Sequence, residues 1–505
     1  MKLSLVGRFT LAMVLVSAAA PTGGIAAAAT VKLGLASLPP GGGNPFTSTA
    51  RTSWYTWRAV FDTLTQLGPD VAPQPALATA WRNTTPTTWI VDLRRGVTFS
   101  NGEPFDAATV IATIVYLQSP AAVQDSVARE TDNIAGVRAL DDHTLEITTR
   151  VPDPMFPRHM GTFAIVPPKA WADLGRDGFA RAPVGSGSFK VRRWAEARID
   201  FDAFSGSWRA PATERLEIRE LPETATRIAA LLSGQIHLAS EVGPEDVETL
   251  QAEGMTIHAR PASSVEVIAL RANVGGPLAD ARVRRALNLA VDREAIAGAL
   301  WAGLVSPTGQ VTPRGNPEHD PTIAPYPYDP AQAKALLAEA GFPDGFSFTT
   351  VMSSGTGGSH IRASFEQLAE NLSRIGVKMT VRPVPWSQFV RGVLQGEWLG
   401  EAFGFEYETL PTGETLRPFR LHSCTWTHPW YCDEAIQPVI AAAKAEFEPA
   451  KRRELIHRVL RAYHDNAAAI VLFEQLGLDG VSPKLRGYDQ MNGIIPFQTL
   501  TVIDE

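Results

Sequence analysis

The sequence predicts a mixed α/β protein of at least two domains. Short stretches with alternating or continuous apolar residues are interleaved with stretches of helical period, which is the pattern of α/β architectures. Several of the connections are short and hairpin-like, which argues against a single all-parallel sheet. Behind the leader lie about 475 residues, more than one hydrophobic core accommodates. At 45% apolar and 20% charged the composition is that of an ordinary globular protein.

The first segment, 1–29, reads as a cleaved secretory signal peptide. Lys2 and Arg8 precede an apolar core over 9–20, Pro21, Gly23 and Gly24 break it, and the run 26–29 offers small-residue cleavage sites. No cysteine follows the apolar core, so an exported protein that is not a lipoprotein is expected. Without Lys2 and Arg8, 44 basic side chains face 53 acidic ones, a net charge of −9. That balance argues against nucleic acid and anionic membrane surfaces as partners. Cys424 and Cys432, eight apart, are expected to form a local disulfide in an oxidising compartment. His422 and His428 share their segment and leave a two-Cys, two-His metal site as an alternative, at a spacing that matches no zinc pattern.

Residues 31–35 alternate as a first strand that ends at a Pro/Gly-rich turn, followed at once by Trp54, Tyr55 and Trp57, which are either core or a ligand platform. Strands are predicted at 89–93, 145–148, 163–166, 199–204 and 216–221. Asn101-Gly102 marks a turn before a helix carrying Val110, Ile111, Ile114 and Val115. The glycine-rich turn at 185–190 lacks the spacing of a phosphate-binding loop. A helix over 228–232 leads to a buried strand at 265–270. In 277–303, Val283, Ala286, Leu287, Ala290 and Val291 share one helical face, with Arg282, Arg284, Arg285 and Asn288 placed largely opposite. Asp280 and Asp292 are candidate caps, and Gly303 a left-handed stop. Helices then follow near 329–341, 361–375, 386–394, 436–447 and 451–464, with strands at 346–351, 377–381, 403–408 and 470–473.

Five blocks together resemble a known family. They are WIVDLRRGVTFSNGEPFDAATV at 89–110, APVGSGSFKV at 182–191, LLSGQIHLA at 231–239, PLADARVRRALNLAVDREAI at 277–296 and YPYDPAQAKALLAEAGF at 326–342. In this order they resemble the extracytoplasmic solute-binding proteins of the dipeptide, oligopeptide and nickel class, family 5, which feed ABC importers. The resemblance implies a two-lobed periplasmic binding protein fold of class II type with an extra domain inserted in the first lobe. It implies lobe I at 30–70, 185–269 and 476–505, the inserted domain at 71–184 and lobe II at 270–475. It further implies a monomer in the periplasm, without cofactor or catalysis. Such a protein encloses a peptide or peptide-like small molecule between the lobes and delivers it to an ABC permease in the inner membrane. An oligosaccharide, an opine-like conjugate or a nickel chelate is the alternative ligand. A secreted hydrolase is the remote alternative, though no GxSxG elbow is present.

Peptide-binding members carry an aspartate three residues after a glycine-tryptophan pair, where it meets the ligand's amino terminus. The similar segment here is Gly404-Phe405-Glu406-Tyr407-Glu408, with Glu408 at the matching position and Phe405 replacing the tryptophan. The candidate ligand-binding set is therefore Trp54, Tyr55, Trp57, Trp386, Phe403, Phe405, Glu406, Tyr407, Glu408, Arg417, His422 and Trp426. The aromatics would stack on the ligand, the two acids would hold an amine, and Arg417 could clamp a carboxylate.

Overall fold

A computed structural model describes residues 30–503 except 261, 262, 355–357, 422, 423 and 491. The predicted signal peptide and His422 lie outside the described residues. Three main sheets organise the chain. The first has seven strands in the order Thr256–Arg260, Gly477–Val481, Leu238–Ala239, Thr30–Leu35, Arg215–Glu220, Arg198–Ala203 and Phe189–Ala195. Thr30–Leu35 sits in the middle, parallel to both neighbours, and Val31, Leu33 and Leu35 are buried. The alternation in the sequence is thus that of a central strand.

The second sheet has five strands in the order Val377–Val384, Phe346–Ser353, Ala402–Glu406, Val265–Leu270 and Ala469–Glu474. Cores lie on both of its faces. Ile268, Leu270 and Ala402 point to one, with Leu287, Phe365 and Leu372. Val267, Ala269 and Phe403 point to the other, with Tyr407, Trp430 and Ile456. Val265–Leu270 belongs to this sheet, so the expected boundary at 269/270 cuts through a strand. The change of sheet falls between Arg260 and Val265, and the chain returns between Glu474 and Gly477. The two crossings are joined to each other, because the Gln475 amide donates to the Ser264 carbonyl at 2.9 Å.

The third sheet, of four antiparallel strands, pairs Ala78–Thr85, Thr88–Leu93, Thr144–Thr149 and Ile134–Asp141. Its inner residues, among them Val91 and Ile147, join one continuous core with Trp57, Phe61, Phe201 and Ile218 of the first sheet's region. Its outer strands went unpredicted because most of their side chains face solvent and no apolar alternation survives. The predicted strand at 163–166 does not pair as a strand. Its backbone is held instead by Ile165, which donates to the Asp62 carbonyl at 3.0 Å.

The helix Ala281–Leu289 is capped by Asp280, which accepts from the Arg282 amide, and Arg293–Trp301 by Asp292, which accepts from the Ala295 amide. Ala302 takes the left-handed conformation at its end, and Gly303 follows with positive φ. Arg284 and Asn288 do not lie on an outer face; both are buried. Arg284 donates to the carbonyls of Leu278, Ala279, Asn466 and Ala467. Asn288 donates to Ala469 and accepts from Arg293, whose guanidinium also reaches the Val471 carbonyl. These polar groups satisfy backbone carbonyls around the edge strand Ala469–Glu474, the condition on which they can be buried. Cys424 and Cys432 form a disulfide. Their sulfurs are thereby withdrawn from the alternative two-Cys, two-His metal site. Among the described residues no helix is long and apolar enough to cross a membrane.

Candidate functional site

The strands Val265–Leu270 and Ala402–Glu406 run antiparallel with Glu266 directly opposite Glu406. Their pairing continues towards the first sheet, where Tyr407 donates to the Val265 carbonyl at 2.9 Å and Thr409 to that of Ser263 at 3.0 Å. Residues 404–410 therefore lead out of the second sheet along its junction with the first. Three cavities follow this seam, and adjacent ones share a residue.

The first, of about 260 Å³, is lined by Arg51, Trp54, Arg58, Arg158, Glu408 and Arg417, among others. The second, of about 380 Å³, contains Arg51, Arg227, Glu241, Arg260, His360 and Glu406. The third, of about 260 Å³, contains Glu266, Phe365, Trp386, Phe389, Phe405 and Glu406. Arg51 joins the first to the second, and Glu406 the second to the third. The third lies at the C-terminal ends of the parallel strands Phe346–Ser353 and Ala402–Glu406, where α/β sheets commonly hold ligands.

The charges along this cleft are unevenly matched. Arg51 donates to Ser263 Oγ at 3.1 Å and faces Glu408 at 3.5 Å. The Glu408 carboxylate also accepts from the Leu410 amide at 2.9 Å. Burial raises the Glu408 pKa, and Arg51 opposes that rise. Arg58 is buried and bonded to neutral partners, Thr63 and Gln66. Burial, and then repulsion from Arg209, lowers its pKa to about 10. Arg417 holds Glu130 at 3.3 Å and donates to the Leu410 carbonyl at 3.2 Å. At the other end, Glu266 accepts from Gln475 Nε2 at 2.7 Å, and Glu406 faces Ser264 Oγ at 3.4 Å. Burial, and then the charge of Glu406, raises the Glu266 pKa well above the usual carboxylate range. Glu406, whose side chain is open to solvent in the cleft, is raised too, by desolvation against the cleft walls and by Glu408. The cleft thus carries arginines at one end and two acids without a cation between them at the other.

Of the predicted site residues, Trp54, Glu408 and Arg417 line the first cavity, Glu406 the second and third, and Trp386 and Phe405 the third. Tyr55 is buried behind the cleft, with its hydroxyl bonded to Arg260. Trp57, Phe403 and Tyr407 are fully buried in the cores and line none of these cavities, so their aromatic surface is spent on packing. Trp426 donates to the Val393 carbonyl at 3.1 Å, away from the cleft. Sequence reasoning missed Arg51, Arg58 and Glu266. Glu266 carried a signal, since a lone acid inside the buried run VEVIAL has to be explained by something it faces.

Residues 72–416 match the family model described as bacterial extracellular solute-binding proteins, family 5 Middle. The chain belongs to this family. Its sequence is 32% identical over 311 residues to the glutathione-binding protein GsiB of Salmonella paratyphi A. That match covers 58% of this chain and 57% of the relative, so the chain spans little more than half the length of the curated relatives it matches. Two solved structures share the fold. DppA from Helicobacter pylori, solved with the peptide STSA, superposes with a TM-score of 0.78 at 21% identity over 94% of this chain and 98% of that one. NikZ from Campylobacter jejuni, solved with Ni(L-His), superposes with a TM-score of 0.80 at 20% identity over 94% and 99%.

Proposed function

We propose that this family 5 protein is the periplasmic substrate-binding component of an ABC importer. It captures a peptide or peptide-like solute between the two lobes and hands it to the membrane permease. Lobe I is built on the seven-stranded sheet, with 71–184 inserted, and lobe II on the five-stranded sheet. The observation that carries this reading is the polarised cleft at their junction, with Arg58 and its neighbours at one end and Glu266 and Glu406 at the other. Such a cleft suits a zwitterion that presents a carboxylate to the arginines and an ammonium to the acids. Aromatic walls at Trp54, Trp386 and Phe405 cover the apolar parts of such a solute. The crossings at 263–264 and 475–476 are the hinge. Catalysis plays no part, and the ligand leaves unchanged.

A thermal-shift panel of tripeptides, oligosaccharides and nickel–histidine tests this reading. Peptides are expected to raise the melting temperature by several degrees and to be recovered intact. A binder at about 100 times its Kd stabilises by about 2.7 kcal/mol. A shift from an oligosaccharide or the nickel chelate with none from any peptide would overturn the ligand class, and turnover would overturn the binding role.

A further inference from the structure

The third cavity holds charge that the fold itself does not neutralise. Glu266 and Glu406 are directly opposed on neighbouring antiparallel strands, an arrangement that places both side chains on one face and sets like charges against each other. Glu266 is 5% exposed, and among the described residues neither acid makes an ion pair. The one close partner of Glu266 is the neutral amide of Gln475. Arg51 acts on Glu406 from the adjoining cavity, but its own contacts are to Ser263 and Glu408.

The walls beside these acids are aromatic. Trp386 is 58% exposed, unusual for so large an apolar side chain, and stacks on Phe389 with ring centroids 5.7 Å apart and planes at 15°. Phe405 and Phe365 also line the cavity. A buried carboxylate, a second carboxylate beside it and an exposed indole face are the elements that recognise an organic cation, by charge-assisted hydrogen bonds and cation–π contact. A bare metal ion requires more oxygen ligands than these two acids supply.

We propose that the cavity between Glu266, Glu406 and Trp386 is a subsite for a ligand ammonium or guanidinium group, so that the transported solute carries a basic side group. This rests on the reading that the cleft between the lobes holds the solute. The subsite is distinct from the position of Glu408, which lies in the first cavity against Arg51. Gln475 ties it to the hinge. The residue that bonds Glu266 is also the residue whose backbone joins the two crossings, so a cation drawn to Glu266 engages the segment about which the lobes move.

The test compares tripeptides Ala-Xaa-Ala with Xaa lysine, arginine or norleucine by calorimetry on the mature full-length protein. Lysine or arginine is expected to bind at least about tenfold tighter than norleucine, which keeps the chain and lacks the charge. In Glu266→Gln this preference is expected to fall to about threefold or less, with Glu406→Gln as the second variant. Equal affinity for lysine and norleucine in the wild type, or an undiminished preference in both variants, would overturn the subsite. If no tripeptide binds, the peptide reading fails, and agmatine decides the subsite separately. It is expected to raise the melting temperature of the wild type but not of Glu266→Gln, and no shift in the wild type overturns the subsite.

Discussion

Replacing Arg452 by methionine is expected to cost about 3–5 kcal/mol of stability, read as a lower midpoint in urea unfolding. Arg452, in the helix Pro449–Asp465, is buried and paired with both Glu318 and Glu414. Glu318 accepts in addition from the Thr415 amide at 3.1 Å. Glu414 faces His159 at 3.5 Å, and His159 faces Asp153 at 2.9 Å. The network thus joins four parts of the chain: the helix Pro449–Asp465, the helix Phe156–His159, the 409–416 loop and the 316–320 segment. Removing the guanidinium leaves buried Glu318 without a cation and Glu414 with His159 alone, and that under-compensated charge sets the size of the loss.

The pH dependence of this joint follows from the same contacts. His159, opposed by burial but hydrogen-bonded to Asp153 and Glu414, has its pKa raised to about 10. Its stabilisation is fully present below the ordinary histidine pKa and is lost as the pH rises through about 10. Glu414, opposed by burial but bonded to His159, has its pKa lowered to about 2. Its stabilisation is present above the ordinary glutamate pKa and is lost as the pH falls through about 2. Stability from this network is therefore greatest at mildly acidic pH. It should fade at both extremes, and the variant's deficit should shrink in acid as Glu414 becomes protonated.

Glu266→Gln should have the opposite sign, stabilising the ligand-free protein at pH 7. Burial, and then the charge of Glu406, holds the Glu266 pKa well above the usual carboxylate range. A raised carboxylate pKa contributes stability that is full below the unfolded value and lost as the pH rises through the folded one. Glutamine stands in for the protonated form. The gain over the wild type should therefore be near zero below about pH 4 and grow with pH. Melting curves from pH 4 to 8 check this. A residue whose neutralisation stabilises the empty protein is one kept for something other than folding.

Much of the fold was legible because burial imposes period. The strand Thr30–Leu35 and the helix Ala281–Leu289 announced themselves through apolar spacing, and Asp280 and Asp292 cap the helices they were expected to cap. The strands Ala78–Thr85 and Ile134–Asp141 escaped because solvent faces most of their side chains. Arg284 and Asn288 were misplaced because charge reads as exposure in a sequence. Their partners at Asn466, Ala467 and Ala469 lie more than 180 residues away. In the site, Glu406, Phe405 and Trp386 stood out as acidic and aromatic residues where the family pattern weakens. Trp57 carries the same side chain as Trp386 and Tyr407 is aromatic like Phe405, yet both went to the cores. Arg51 and Arg58 had no local signal, since a lone arginine at either end of a short helix is ordinary surface chemistry.

The central claim is that one solute touches both walls of the junction, and the most direct measurement is the Kd of a single lysine-containing tripeptide for Arg51→Ala and for Trp386→Ala. Arg51 stands on the first wall, at the start of the helix Arg51–Trp57, and Trp386 on the second, at the start of Trp386–Gln395. Each substitution is expected to weaken binding by about tenfold or more, as loss of one well-placed charged or aromatic contact does. Loss confined to one wall, with the other variant binding as tightly as the wild type, would contradict capture between the lobes.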